Sequence, residues 1–334
     1  MSLSLSQNFD LTNHNSFQLR GNSAYARAIV DEAELPQLFE VAEELGVPVR
    51  ILGGGSNVIL SEQYDGITAI MSSRGRSLAD GENGQFIVEA SAGENWHELV
   101  TWTVEQGLWG LENLAGIPGT VGAAPIQNIG AYGVELSDLF ESLVAFDRTE
   151  RRFVSMDGPS CRFAYRQSLF KQEPGRYVVT SVRLKVSQSR GPSLGYRDLS
   201  ALGPFRSPSE VMQAVLRLRA SKLPDWRILG NAGSFFHNPV LSADAGQAFT
   251  LDFPNAPAFP QTDGSIKLSA GWLIEQAGLK GYRRGAVGVF ERHALVLVNH
   301  GGATCKDILE LSDFIMTSVR DKFGITLGRE PELF

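Results

Sequence analysis

Apolar residues recur at helical spacing from residue 35, with Leu35, Leu38, Phe39, Ala42 and Leu45 on one face and Gly46 placed to end the helix. Val47-Pro-Val-Arg-Ile-Leu52 follows as a strand, runs into Gly53-Gly-Gly-Ser-Asn57, and is succeeded by a second extended stretch, Val58-Ile-Leu60. Trp96, Leu99, Val100 and Val104 predict a helix over 95–106 with Gly107 beyond it, and strand-like runs follow at 142–146 and 177–186. The segment 187–208 is rich in Ser, Gly, Pro and Arg and predicts a loop or linker. At its end Ser207 is an N-cap, Pro208 the first helical residue and Glu210 the partner in a capping box, ahead of a stripe of Val211, Met212, Val215 and Leu218. Two more helices are predicted, over 269–277 and over 305–323, the latter capped by Thr304 and buried along Ile308, Leu311, Ile315 and Val319. The order implies an N-terminal α/β region of two lobes and a C-terminal α+β domain from about residue 205.

One run fits none of these periods. Residues 116–133, GIPGTVGAAPIQNIGAYG, hold five glycines, two prolines and no charge. Glycine and proline disfavour a helix or central strand, whereas missing Cβ atoms let backbone N–H groups approach a ligand closely. Any one of these glycines reads as a structural turn; the whole run, with its intact amides, reads as a loop wrapped around a ligand.

Composition narrows the class. A chain of 334 residues exceeds one comfortable core and carries a formal charge of -7, which opposes nonspecific nucleic-acid binding. Cys161 and Cys305 are the only cysteines, so a disulfide framework or cysteine-rich zinc site is excluded. Five scattered histidines form no HxxxH or HExxH, and no catalytic metal is expected. The N-terminus lacks the basic and apolar regions of a secretory signal, and no apolar stretch approaches a membrane span. The expectation is a cytoplasmic protein, monomeric, with a small-molecule partner and neither nucleic acid nor membrane.

Among nucleotide sites, GxGxxG and GxxxxGK[ST] are both absent. Gly53 to Asn57 therefore reads either as a glycine hairpin or as a nest of backbone N–H groups for a diphosphate, with Ser56 and Asn57 as added donors. Tyr165-Arg166 offers a planar fork for a carboxylate. Gly230-Asn-Ala-Gly-Ser-Phe-Phe-His-Asn-Pro239 sets Ser234 between small residues and aromatics, where it suits a flat ligand. Gly191-Pro-Ser-Leu-Gly195 matches GxSxG but lacks the strand and helix of a nucleophile elbow, so it is a chance match. Glu330 and Glu332 read as solvated tail charges until another observation places them.

Together LGGGSNVIL, GIPGTVGAAPIQNIGAYGVE, YRQSLFK, KLPD, GNAGSFFHNP, SAGWLIEQAGLKG and LGREPELF, in this order, resemble the UDP-N-acetylenolpyruvoylglucosamine reductase (MurB) family, in the form that keeps an extra loop with a substrate-covering tyrosine. The resemblance implies an α+β flavoprotein of the vanillyl-alcohol-oxidase type, with lobes at 1–72 and 73–205 around FAD and a substrate domain at 206–324. The tail 325–334 would return to the first lobe, anchored by Leu333-Phe334. It implies that NADPH reduces FAD and that flavin N5 passes hydride to the vinyl carbon of UDP-N-acetylglucosamine enolpyruvate, yielding UDP-N-acetylmuramate for peptidoglycan. In that scheme Arg166 and Glu332 stabilise the enolate and Ser234 donates the proton. Tyr165, Tyr196, Lys222, Asn238 and Glu275 would contact substrate. Gly53, Gly54, Gly55, Ser56 and Asn57 would hold the pyrophosphate; Gly119, Thr120, Gly122, Ala123, Gln127, Asn128, Gly130, Ala131, Tyr132 and Gly133 would wrap the flavin. Two alternatives stay open: a sugar or hydroxy-acid oxidase, which often tethers its flavin through His or Cys and is disfavoured because Cys161 and His97 sit outside the glycine motifs, and a non-catalytic nucleotide-binding protein.

Overall fold

The computed structural model describes residues 3–334. The described residues divide into two compact units: one holds 3–9, 22–55 and 63–221, the other 10–21, 56–62 and 222–334.

In the first unit, strands Asn22–Ile29, Gln63–Met71 and Val49–Leu52 pair in parallel, and Ser6–Asp10 lies at the edge beside Asn22–Ile29. The strand predicted from Val47 begins at Val49 because Pro48 has no N–H; its carbonyl accepts from Ile67 instead. Helix Leu35–Leu45 covers this sheet with Leu35, Leu38 and Ala42 buried, and Gly46 ends it in the left-handed conformation (φ 66°). A second sheet is antiparallel, in the order 152–157, 140–147, 177–187, 85–91, 76–80. Helix Trp96–Glu105, capped by Asn95, buries Trp96, Leu99 and Val100 in the core formed with that sheet.

Helix Pro208–Lys222 adds Val211, Ala214 and Val215 to the same core. The unit boundary therefore falls after residue 221, although the polar linker placed a domain start at 206. Its capping box is shifted: Ser207 Oγ accepts from Glu210 N, while the Glu210 carboxylate reaches Arg206 N. Within the linker lies a short helix, Arg197–Ser200, anchored by buried Leu199.

The second unit is built on an antiparallel sheet ordered 230–234, 296–299, 287–289, 283–284. Helix Ala270–Gln276 is capped by Ser269, and helix Cys305–Phe323 buries all four predicted stripe residues, Ile308, Leu311, Ile315 and Val319. Helix Ala243–Asp252 was not legible because it buries only Gly246 and Phe249 and leaves Leu251 82% exposed. Among the described residues no helix is long and apolar enough to cross a membrane.

Thr304 and Asp307 form a reciprocal capping box at the start of the long helix. Hydrogen bonds from the Thr304 backbone and hydroxyl hold the Asp307 carboxyl below its usual range. A depressed carboxyl contributes stability above the unfolded value, near pH 4, and loses it as pH falls through the folded value. Thr304→Ala should therefore cost about 1 kcal/mol in denaturant melts at neutral pH and flatten the acid limb of the stability profile.

Candidate active site

The two glycine segments meet inside the first unit. A Cβ on Gly53 would sit 2.6 Å from Thr120 Oγ1, and one on Gly54 would sit 2.7 Å from the Gly119 Cα. Neither distance is one that a real Cβ tolerates, so Gly54 is required by the approach of the Gly119 backbone and Gly53 by the Thr120 side chain. Gly122 is equally confined, its absent Cβ facing Ala92 at 2.5 Å. Among the described residues, the N–H groups of Gly53, Gly54, Gly55, Gly119 and Thr120 donate no backbone hydrogen bond, and Gly55 is left-handed (φ 61°). The Thr120 hydroxyl is buried with no hydrogen-bond partner. A cluster of unused donors in an uncharged cradle suits a polar, anionic ligand.

The end of the glycine-rich run is a tight hairpin in which Gly130–Ala131 pairs with Val134–Glu135. Tyr132 (φ 50°) and Gly133 (φ 82°) form the two-residue turn, the positive-φ pattern that matches strand twist. Arg166 is tied to this hairpin: its guanidinium donates to Gly130 O at 2.8 Å and Asn128 O at 3.4 Å, and stands 5.5 Å from the Tyr165 ring centre. Its fork is thus oriented by loop carbonyls. Asn128 is fully buried and its side chain bonds Glu135, Ala164 O and Ser137 N. That places its side chain as a brace of the loop rather than a ligand contact. Tyr132 meets Tyr196 edge-on at 5.1 Å, and the Gly133 Cβ position lies 3.2 Å from Tyr196 N.

Arg219 was missed. Its guanidinium packs against Gly116, with Nε 3.0 Å from that Cβ position, and stands near Tyr132. Burial pulls its proton affinity below the usual arginine range. It has no hydrogen-bond or ion-pair partner among the described residues. The signal lay in the helical period: Arg219 follows Val211 and Val215 at four-residue steps, a charge on an apolar stripe.

The second unit carries the other group of expected residues. Ser234 ends strand Gly230–Ser234 opposite Val296, beyond a bulge made by Gly233 (φ 70°) and closed by Gly233 N donating to Asn231 Oδ1 at 3.0 Å. The tail runs between this segment and the strand Val58–Ile59. Glu330 N donates to Phe235 O at 2.8 Å, while Asn57 Nδ2 donates to Glu330 O at 3.3 Å and Glu332 N to Asn57 O at 3.1 Å. Leu333 pairs with Ile59, and Phe334 N donates to Ile59 O at 2.8 Å. The last two residues thus anchor the exposed Glu332 by main-chain bonds. Asn238 Oδ1 accepts from Ala270 N at 3.0 Å, so its side chain caps a helix, and Glu275 pairs with Lys280 at 3.0 Å. Lys222 stands near His293, which burial first, then Lys222 and Lys280, hold below the ordinary imidazole range and hence neutral at pH 7. Ser56 also lies in this unit; Gln127, Ala123 and Ala131 remain with the glycine run in the first.

Comparison with known proteins decides the reading. Residues 224–334 match the family described as UDP-N-acetylenolpyruvoylglucosamine reductase, C-terminal domain, and residues 24–151 match the FAD binding domain. The chain is 44% identical to the UDP-N-acetylenolpyruvoylglucosamine reductase of Pseudomonas aeruginosa, with 100% of both covered. It belongs to the UDP-N-acetylenolpyruvoylglucosamine reductase family. Identity to the Polynucleobacter asymbioticus protein of that name is 43%, over 98% of this chain and 96% of the relative. The crystal structure of the Thermus caldophilus MurB superposes with a TM-score of 0.70 at 25% identity, covering 99% of each chain. The resemblance and the α+β FAD-binding fold expected from it are borne out.

The first-unit residues fit FAD. The free N–H groups of the glycine turn suit its diphosphate, and the uncharged run of 119–133 admits a flat, neutral ring. Cys161 is fully buried with its thiol pushed up to about 12, a poor nucleophile for a covalent tether. Gly54→Ala drives a methyl into Gly119, at a cost of about 1–3 kcal/mol. The purified variant should retain at least about tenfold less FAD by equilibrium titration, read from flavin absorbance.

Proposed function

We propose that the protein catalyses the NADPH-dependent reduction of UDP-N-acetylglucosamine enolpyruvate to UDP-N-acetylmuramate in peptidoglycan precursor synthesis. The observation that supports it most is the orientation of Arg166 by the carbonyls of Gly130 and Asn128, on the loop that fits the flavin. Identity to curated reductases across the whole chain supports the substrate class.

Bound FAD supplies the two-electron carrier between NADPH and the vinyl carbon of the substrate. The alkene gains one hydride at that carbon and one proton at the neighbouring carbon, which bears the ether oxygen. Between these events negative charge spreads into a group that already carries a carboxylate, and this opposes the reaction. Arg166 offsets it, because a guanidinium with its fork fixed in advance stabilises developing charge without reorganising. Glu332 would act on the same carboxylate as a carboxylic acid, donating its O–H in a hydrogen bond, with its backbone held on both sides by the tail pairing. Ser234 delivers the proton from a strand end set by the bulge at Gly233. Lys222 and Tyr196 contact the diphosphate, and Asn238, Tyr165 and Glu275 the remainder of the substrate.

The purified protein should be yellow and oxidise NADPH rapidly only when the enolpyruvyl substrate is present. A colourless protein that FAD cannot reconstitute would overturn the proposal. In stopped flow, Ser234→Ala should leave flavin reduction by NADPH unchanged and slow reoxidation by substrate about 10²–10⁴-fold. Equal rates in both half-reactions would remove Ser234 from the role of proton donor.

A further inference from the structure

Asn113 has no part in the scheme above, yet it occupies an unusual position. It is completely buried, on the short turn Glu112–Leu114. Its amide nitrogen donates to two carbonyls at once: Tyr132 O at 2.9 Å and Ser193 O at 3.0 Å. Two carbonyl acceptors fix which end of the amide is nitrogen. Its oxygen has no hydrogen-bond partner. A buried amide with an unsatisfied oxygen is costly, so the two donated bonds are what this side chain contributes.

Both acceptors matter. Tyr132 is a non-glycine residue in the left-handed region, a conformation that costs about 1–2 kcal/mol. Ser193 lies in a segment with little else to hold it. Among the described residues, none of 188–195 enters a backbone–backbone hydrogen bond. The bond from Asn113 is the hydrogen bond that ties that stretch to a distant part of the chain. Beside it, buried Glu112 attracts Arg190 at the head of the segment. Leu194 and Tyr196 pack on the core, and Tyr196 meets Tyr132 edge-on.

We infer that Asn113 is a positioning residue: it clips the Tyr132–Gly133 turn of the cofactor loop to the 191–196 segment, so that Tyr196 is held ready for substrate. The inference rests on the proposed role of Tyr196 at the substrate. Without the clip the segment keeps its apolar contacts but Ser193 loses its anchor, and substrate binding must then order it. The effect falls on substrate affinity and leaves the NADPH half-reaction alone, because Tyr132 keeps its place in the hairpin.

Two measurements on the FAD-loaded protein test this. In steady-state kinetics Asn113→Ala should raise the KM for UDP-N-acetylglucosamine enolpyruvate about tenfold, with kcat and the NADPH half-reaction within about twofold. In a Tyr196→Ala background the same change should raise KM less than about twofold, since residues acting through one contact are not additive. Asn113→Ser, which keeps one donor, should fall between. Additive effects, or an unchanged KM, would overturn the inference. Limited trypsinolysis needs no substrate: Arg190 and Arg197 are exposed and bracket the segment. Cleavage there should accelerate about tenfold in Asn113→Ala and less in Asn113→Ser. Unchanged cleavage in a folded variant, or failure of both variants to fold, would show Asn113 to be an ordinary core residue. If the wild type does not turn over this substrate, the proposed function fails and trypsinolysis still decides the clip.

Discussion

The close approach of two backbones organises the first unit. Gly53 and Gly54 face Gly119 and Thr120 at distances that exclude any Cβ. Because the chains touch there directly, their N–H groups stay unused by secondary structure and Thr120 keeps an unpaired hydroxyl. The buried Thr120 hydroxyl and the N–H of buried Gly55, both unpaired, are unfavourable without a ligand. The stability they withhold is recovered when a ligand supplies acceptors, so cofactor retention and loop integrity are linked quantities. The hairpin at Tyr132, the guanidinium of Arg166 and the braces at Asn128 and Asn113 all hang from the same loop.

Much of this was legible in the sequence, for reasons that differ by element. The helices 35–45, 96–105 and 305–323 combine strong caps with a continuous apolar stripe, so pattern and packing agree. The helix 243–252 has a good cap at Ser242 but almost no buried stripe, so periodicity is silent. The glycine run was recognisable as ligand-wrapping because glycine density is a statement about backbone approach. That it meets Gly53 and Gly54 was not, because pairing across such a separation leaves no local period. Arg219 and Asn113 escaped for opposite reasons. The first is a charge where the stripe called for an apolar residue; the second is an ordinary turn residue whose importance appears only once its two acceptors are located.

The expected catalytic groups divide between the compact units: Arg166 belongs to the first, Ser234 and Glu332 to the second. Each unit sets its own groups by main-chain means. Carbonyls aim Arg166, a bulge presents Ser234, and a parallel strand pair carries Glu332. Orientation by backbone tolerates sequence drift in neighbouring side chains, in keeping with a fold retained at 25% identity over 99% of both chains.

The second unit is assembled from three separated stretches, 10–21, 56–62 and 222–334. Its strand at Val58–Ile59 waits for a partner at Glu332–Leu333. During synthesis the first unit has all its residues once position 221 emerges, while 10–21 and 56–62, which meet each other where Gly21 packs on Leu60 and Ser61, still lack the rest of their unit. Those two short pieces are therefore exposed on a nascent chain whose other half is already able to fold. They are the part of this molecule that a chaperone has most reason to shield.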